Sequence, residues 1–137
     1  MRLPCKAGDG TPQACHSGVV RLSHLGLPVR DVERSQRFYA TYFGFDLGSA
    51  RTYPDGTVII RDSDDFDLAL HRAAEVGPTP EFLHFGFRAA TSDGVRALLA
   101  RLDADGVPVV ERDDEQEYVG FKCADPDGHR VEVYWQP

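Results

Sequence analysis

A tetrapeptide headed by histidine occurs twice in this chain, and it constrains the fold more than any other feature. Residues 24–27 read HLGL, and residues 84–87, 60 positions later, read HFGF. An internal repeat of this kind predicts two copies of one structural unit. Because the histidine has the same place in both copies, His24 and His84 can approach each other where two such units meet.

Composition restricts the class of protein. With 137 residues and a net charge of −7, the chain fits one globular domain and lacks the basic surface expected of a nucleic-acid binder. No segment approaches the roughly 20 apolar residues of a membrane span. Three cysteines without ligand-like spacing suit a reducing cytoplasm, where we place the protein. Residues 1–18, rich in Gly, Pro and small polar residues, are predicted to form a flexible leader.

The remaining sequence predicts an α+β fold of two βαβββ modules, residues 19–76 and 81–137. In the first module, a helix starts at the N-cap Asp31 and ends at Gly44. In the second, a helix is capped by Ser92 or Asp93 and ends at Gly106. The predicted strands are 19–27, 45–52, 57–61 and 66–72, then 82–88, 108–112, 118–124 and 130–135. Neither module can cover its own sheet, so we expect them to pack as one curved, cup-shaped unit.

Strand parity puts three ligand-type residues on corresponding faces. Successive strand residues point to opposite faces, so His24 lies opposite Leu25 and Leu27, and His84 opposite Phe85. In the last strand Glu132 likewise lies opposite its apolar neighbours. The glycine two places after each histidine is expected to leave room for a ligand. Two imidazoles and a carboxylate on one concave surface suit a divalent transition metal with open coordination positions.

These pieces resemble the vicinal oxygen chelate superfamily, which includes glyoxalase I, bleomycin-resistance proteins, fosfomycin-resistance thiol transferases and extradiol dioxygenases. The resemblance rests on residues 22–27, 31–45, 82–87 and 125–134 and covers about residues 19–137 as a single domain. It implies a glyoxalase-like cup of paired modules, a homodimer, and a metal that chelates two oxygens of a small substrate. His24, His84 and Glu132 stand where the family has its metal ligands; iron, manganese, zinc and nickel all remain open.

Departures from the pattern separate the subfamilies. Aligning the last strands of the two modules puts Ala69 opposite Glu132, where glyoxalase I has a carboxylate, so a typical glyoxalase I is disfavoured. The extradiol enzymes share the ligand triad, but Lys122 stands where they have a tyrosine, and Asp113 where they have a histidine. The acidic stretch 112–117 would repel the phosphonate that fosfomycin-resistance enzymes bind.

The sequence therefore favours a metal-dependent enzyme of the lyase, isomerase or ring-cleaving dioxygenase type, with no nucleic-acid or membrane partner. Its metal would act as a Lewis acid on a substrate with adjacent oxygens. Tyr134, Lys122 and His71 are predicted to be catalytic, and Arg130 to contact substrate. The alternative is a protein of the bleomycin-resistance type, in which acidic segments 62–67 and 113–117 help to sequester a cationic molecule without turnover.

Overall fold

The computed structural model describes residues 19–137, and the predicted leader lies outside them. Two helices and eight strands follow in the predicted order, βαβββ twice. In chain order they are β1 (His24–Val29), α1 (Val32–Phe43), β2 (Asp46–Thr52), β3 (Val58–Arg61), β4 (Asp67–Arg72), β5 (Phe85–Arg88), α2 (Ser92–Ala104), β6 (Val109–Asp114), β7 (Val119–Ala124) and β8 (Arg130–Trp135). Within residues 19–137, neither helix has the length and apolar character needed to cross a bilayer.

Each module builds its own four-stranded mixed sheet. The strand orders are β1-β4-β3-β2 and β5-β8-β7-β6, so the two sheets have the same topology. The first strand of each module pairs in parallel with the last, and the remaining pairs are antiparallel. The predicted α+β fold of two repeated units is therefore confirmed.

Both repeat strands differ from their predicted bounds. Strand β1 begins at His24 rather than Val19 and continues through Pro28, which an edge strand accommodates because its outer side needs no N–H donor. Strand β5 begins at Phe85 rather than Phe82. The reason is that Phe82 has φ of 68°, in the left-handed region that interrupts a strand.

The helix ends follow from local capping. Helix α1 begins after Asp31, whose carboxylate accepts a hydrogen bond from the backbone N–H of Arg34, and it ends at Gly44 with φ of 74°. Helix α2 is capped by Thr91, one residue before the predicted Ser92, because the Thr91 hydroxyl accepts a bond from the Gly94 N–H. Both helices therefore start where a side-chain oxygen satisfies a free N–H group.

The helix-covered faces of both sheets share a single hydrophobic core. Alternate residues of the strands point into it, as parity predicted, including Leu27, Leu70 and Val133. Aromatic residues of α1 reach across to the second module: the ring centroids of Phe43 and Phe87 are 4.8 Å apart. His24 and Glu132 alternate with core residues along their strands, so their side chains lie on the faces turned away from the core.

A buried polar cluster joins the modules beside this core. The Tyr39 hydroxyl of α1 donates to Asp125, 2.7 Å away, in the turn before β8. Asp127 of the same turn has a fully buried side chain and accepts hydrogen bonds from the backbone and guanidinium of Arg30. Burial, together with the nearby Asp125 charge, raises the pKa of Tyr39 far above its ordinary value. The turn before β8 is thus attached to the first module by hydrogen bonds whose carboxylate acceptors are buried.

Candidate metal centre

Two of the three predicted ligands meet on the second sheet. His84 precedes β5, and Glu132 is the third residue of β8, which pairs with β5 in parallel so that Gly86 lies opposite Glu132. The Nε2 atom of His84 is 3.1 Å from the Oε2 atom of Glu132. Both side chains are partly exposed, so an ion or a ligand can reach the pair from the open face.

The orientation of the His84 ring is set by its own backbone. Its Nδ1–H donates to the carbonyl oxygen of Phe82 at 2.8 Å, and a carbonyl can only accept. In the neutral ring the proton is therefore on Nδ1, which leaves the Nε2 lone pair directed at Glu132. The left-handed backbone of Phe82 lies directly before this interaction, and strain of this kind is concentrated at functional sites.

Glu132 is held on its other side by Tyr118, which sequence reasoning did not single out. The Tyr118 hydroxyl donates to Oε1 of Glu132 at 2.5 Å. Burial, with a smaller contribution from this hydrogen bond, raises the pKa of Tyr118 well above its ordinary value. The Tyr134 ring lies nearly parallel to that of Tyr118, with 6.2 Å between centroids. The sequence signal for this contact was Gly120, two residues after Tyr118, because the absence of a side chain there leaves space for the Tyr118 ring.

His24 lies on the first sheet, apart from this pair. It lines a recess of about 560 Å³ together with Arg51, Arg61 and Ala69. Asp67, opposite His24 in the β1–β4 register, accepts hydrogen bonds from Arg61 at 2.8 Å and Arg51 at 3.1 Å. The hydrogen bonds from Arg61, the largest contribution, lower the pKa of Asp67.

Within residues 19–137 of one chain, no three His, Cys, Asp or Glu side chains form a group that could hold a metal ion. One chain thus brings His84 and Glu132 together and places His24 elsewhere. Cys123 offers no further ligand there, since it is buried and burial raises the pKa of its thiol to about 11.

The other predicted site residues divide between the sheets. Lys122 and Arg130 line a recess of about 280 Å³ beside His84, where the Lys122 ammonium is 3.0 Å from Glu111. The Tyr134 ring stacks on the ring of Tyr118, and the Tyr118 hydroxyl donates to Glu132. His71 belongs to β4 of the first sheet, where its Nδ1 atom is 3.1 Å from the Thr57 hydroxyl. The structure therefore groups Lys122, Arg130 and Tyr134 with His84 and Glu132, and it leaves His71 apart.

Strand registers give the same correspondence between modules as the sequence repeat. Gly26 pairs with Ala69 in the first sheet, and Gly86 pairs with Glu132 in the second. Ala69 thus occupies the place of Glu132 and supplies a methyl group instead of a carboxylate. The first sheet accordingly carries only one of the three predicted ligands, His24.

The two repeat glycines lie against side chains of the strand that pairs with their own. A Cβ atom at Gly26 would lie 3.2 Å from Nε2 of His71. A Cβ atom at Gly86 would lie 3.3 Å from Cβ of Glu132 and 3.4 Å from its Oε2. In the second sheet, the glycine therefore gives Glu132 the space to turn towards His84.

The comparison with known proteins agrees with this architecture. A family model described as the Glyoxalase/Bleomycin resistance protein/Dioxygenase superfamily matches residues 21–133, and the chain belongs to that superfamily. A solved structure from Bacillus cereus, described as a possible glyoxalase, is 29% identical with a TM-score of 0.71; the match covers 84% of this chain and 98% of that one.

Two curated relatives carry different activities. The chain is 32% identical over 122 residues to 3-methylcatechol 2,3-dioxygenase of Pseudomonas putida, a match that covers 85% of this chain but only 40% of the dioxygenase. It is 28% identical over 115 residues to glutathione transferase FosA of Serratia marcescens, covering 82% of this chain and 79% of the relative. The superfamily is thus established, and its members include enzymes of several reaction types.

Proposed function

We propose that this protein is a metal-dependent enzyme of its superfamily that acts on a small substrate with two adjacent oxygens. The ligands would be His24, His84 and Glu132, with iron, manganese, zinc or nickel as the divalent cation. Among the enzyme types in the superfamily, a lyase, an isomerase or a ring-cleaving dioxygenase fits this ligand set. The bound cation would supply Lewis-acid chemistry to the substrate oxygens.

The facing atoms of His84 and Glu132 carry this proposal. With the imidazole proton on Nδ1, two lone-pair-bearing atoms, Nε2 and Oε2, face each other at 3.1 Å. Two acceptors at that distance repel unless a cation lies between them or a second proton is added to the ring. A divalent metal satisfies both atoms, and a carbonyl on the remote imidazole nitrogen is the usual outer partner of a metal-bound histidine.

Two chains would complete the ligand set. His24 and the His84–Glu132 pair are on open faces of different sheets, and both β1 and β5 are edge strands. The segments directly before these strands expose large apolar side chains: Val20 is 94% exposed, Leu22 85% and Phe82 80%. Exposed apolar groups beside unpaired edges favour association with another chain. A homodimer in which the first module of one chain faces the second module of its partner would bring the three ligands together.

The surrounding side chains then have separate tasks. Lys122 and Arg130, beside His84, would contact anionic oxygens of the substrate, with Arg130 the more available because Glu111 binds Lys122. The Tyr134 hydroxyl would donate to or accept from the substrate on the Glu132 side. His71 belongs to the first module, so in the proposed dimer the partner chain would contribute it as the further catalytic residue of the same site.

The sequestration alternative has less support from the charges. Asp67 is engaged by Arg51 and Arg61, and Asp114 is engaged by Arg96. Part of the acidic charge that would attract a cationic molecule is therefore already neutralised by neighbouring arginines. A protein that only sequesters such a molecule also has no use for the arrangement of His84 and Glu132.

Glu132→Gln tests the proposal because it keeps the size of the side chain and removes its charge. We expect the content of divalent metal per chain, measured by elemental analysis, to fall together with turnover, while the circular dichroism spectrum is unchanged. Val133→Ala is the matched control on the helix-covered face of the same strand; it should cost about 1–2 kcal/mol of stability and retain the metal. A Glu132→Gln protein with wild-type metal content would rule out the proposed ligand role.

A further inference from the structure

Tyr118 lies on the far side of Glu132 from His84. Its hydroxyl donates to Oε1 at 2.5 Å, whereas Oε2 is the oxygen that faces Nε2 of His84 at 3.1 Å. The two oxygens of one carboxylate therefore have different partners. A phenol has a single proton to donate, and here that proton is directed at the oxygen that His84 does not face.

The backbone around Tyr118 is adapted to this position. A Cβ atom at Gly120 would lie 2.7 Å from the Tyr118 hydroxyl oxygen and 2.9 Å from the adjoining ring carbon. Any side chain at position 120 would thus displace the ring. The Tyr134 ring stacks alongside the Tyr118 ring. Three neighbouring residues, Gly120, Tyr134 and Glu132, together fix where the hydroxyl lies.

From this geometry we infer that Tyr118 is a positioning residue that occupies Oε1 of Glu132, so that the carboxylate presents only Oε2 to a divalent cation at His84. This inference rests on the proposed function. A carboxylate can bind a cation through one oxygen or through both, and the hydrogen bond to Oε1 selects the first mode. The consequence is one more open coordination position for the substrate oxygens, and a ligand already oriented before the metal arrives.

Cobalt(II) is a suitable probe, because it reports affinity and coordination in the same titration of the full-length chain. Tyr118→Phe removes the hydroxyl and keeps the ring. We expect it to weaken Co²⁺ binding about tenfold, the lower end of the effect of outer-sphere substitutions, because Glu132 is then no longer oriented before the metal arrives, and this loss outweighs the gain of a second oxygen ligand. We also expect its visible absorption bands to lose intensity, because the released Oε1 becomes an additional ligand and a higher coordination number weakens these bands.

Tyr42→Phe is the matched control, because the Tyr42 hydroxyl also donates to a carboxylate, Asp105 at 2.6 Å, but on the exposed surface between the two helices. Its Co²⁺ affinity and spectrum should equal those of the wild type. Gly120→Ala should reproduce the effect of Tyr118→Phe by displacing the ring. The double variant should then bind Co²⁺ no more weakly than the weaker single variant, since both changes break one contact.

The outcomes separate the two proposals. If the wild-type protein binds no Co²⁺, the proposed function fails and the inference fails with it. If the wild type binds Co²⁺ and Tyr118→Phe changes neither affinity nor spectrum, the inference alone is overturned. A lower melting temperature in Tyr118→Phe with unchanged Co²⁺ binding would likewise overturn it, because Tyr118 would then only stabilise the fold.

Discussion

Replacing Tyr39 by phenylalanine tests the connection between the modules with almost no change in packing. The substitution removes only the hydroxyl that donates to Asp125 at 2.7 Å. The Tyr39 side chain is completely buried and Asp125 is 5% exposed, so water cannot take the place of the lost donor. Oδ1 of Asp125 keeps its two backbone hydrogen bonds, from Asp127 and His129, but Oδ2 loses its phenolic partner.

The expected loss follows from the type and burial of this bond. A hydrogen bond to a charged group contributes about 1.5–3 kcal/mol, and leaving a buried acceptor without a donor costs a similar amount. We therefore expect Tyr39→Phe to lower the free energy of unfolding by about 2 kcal/mol. For a folded domain of about 120 residues, at about 2.1 cal/mol/K of unfolding entropy per residue, that corresponds to a melting temperature about 8 °C lower.

Denaturant and thermal unfolding, followed by circular dichroism, measure this loss. Tyr42→Phe provides the comparison, because its phenol also binds a carboxylate but solvent can replace the donor; it should cost less than about 0.5 kcal/mol. Equal losses in the two variants, or a Tyr39→Phe protein as stable as the wild type, would show that the buried cluster does not hold the modules together.

Two further predictions concern pH and a helix end. Burial raises the pKa of Tyr39, so above pH of about 10 the unfolded chain loses this proton while the folded chain keeps it. This group should not affect the free energy of unfolding below pH of about 10. Above that pH, the free energy of unfolding should fall by about 1.4 kcal/mol per pH unit more in the wild type than in Tyr39→Phe. Urea unfolding at several pH values measures the difference. Gly44→Ala should cost about 1 kcal/mol in urea unfolding, since Gly44 ends α1 with φ of 74° and an added Cβ touches nothing within 4 Å. Gly44→Asn should cost less, because asparagine adopts this conformation more readily than alanine. Equal stabilities of the two variants would contradict a purely conformational cost.

Periodicity and the repeat were sufficient to predict the fold. Successive side chains of a strand point to opposite faces of the sheet. The alternation of apolar residues therefore indicated which face of each strand enters the core. Helix starts were predicted to within a residue; Thr91 was missed because Ser92 and Asp93 beside it are equally good capping residues. The sequence did not predict that β1 continues past Leu27 to Val29, since Pro28 is acceptable in a strand only when that strand lies at an edge.

The surroundings of the site were less predictable than its candidate ligands. Tyr118 reaches Glu132 from the position directly before β7, and that contact depends on side-chain length and on the absence of a side chain at Gly120. The carbonyl of Phe82, which accepts from His84, belongs to a residue with a left-handed backbone, and nothing in a phenylalanine indicates that conformation. Likewise Glu111 meets Lys122 after a register shift between β6 and β7, and such irregularities have no sequence signal here.

The separation of His24 from the His84–Glu132 pair within residues 19–137 of one chain has a genetic consequence. In the proposed dimer, each cup takes His24 from one chain and Glu132 from the other. Chains carrying His24→Ala alone, or Glu132→Ala alone, would then have two defective cups in every dimer. In a mixed dimer both lesions fall in the same cup and the second cup is intact, so two inactive alleles expressed together would complement each other, to about a quarter of full activity if the chains pair at random.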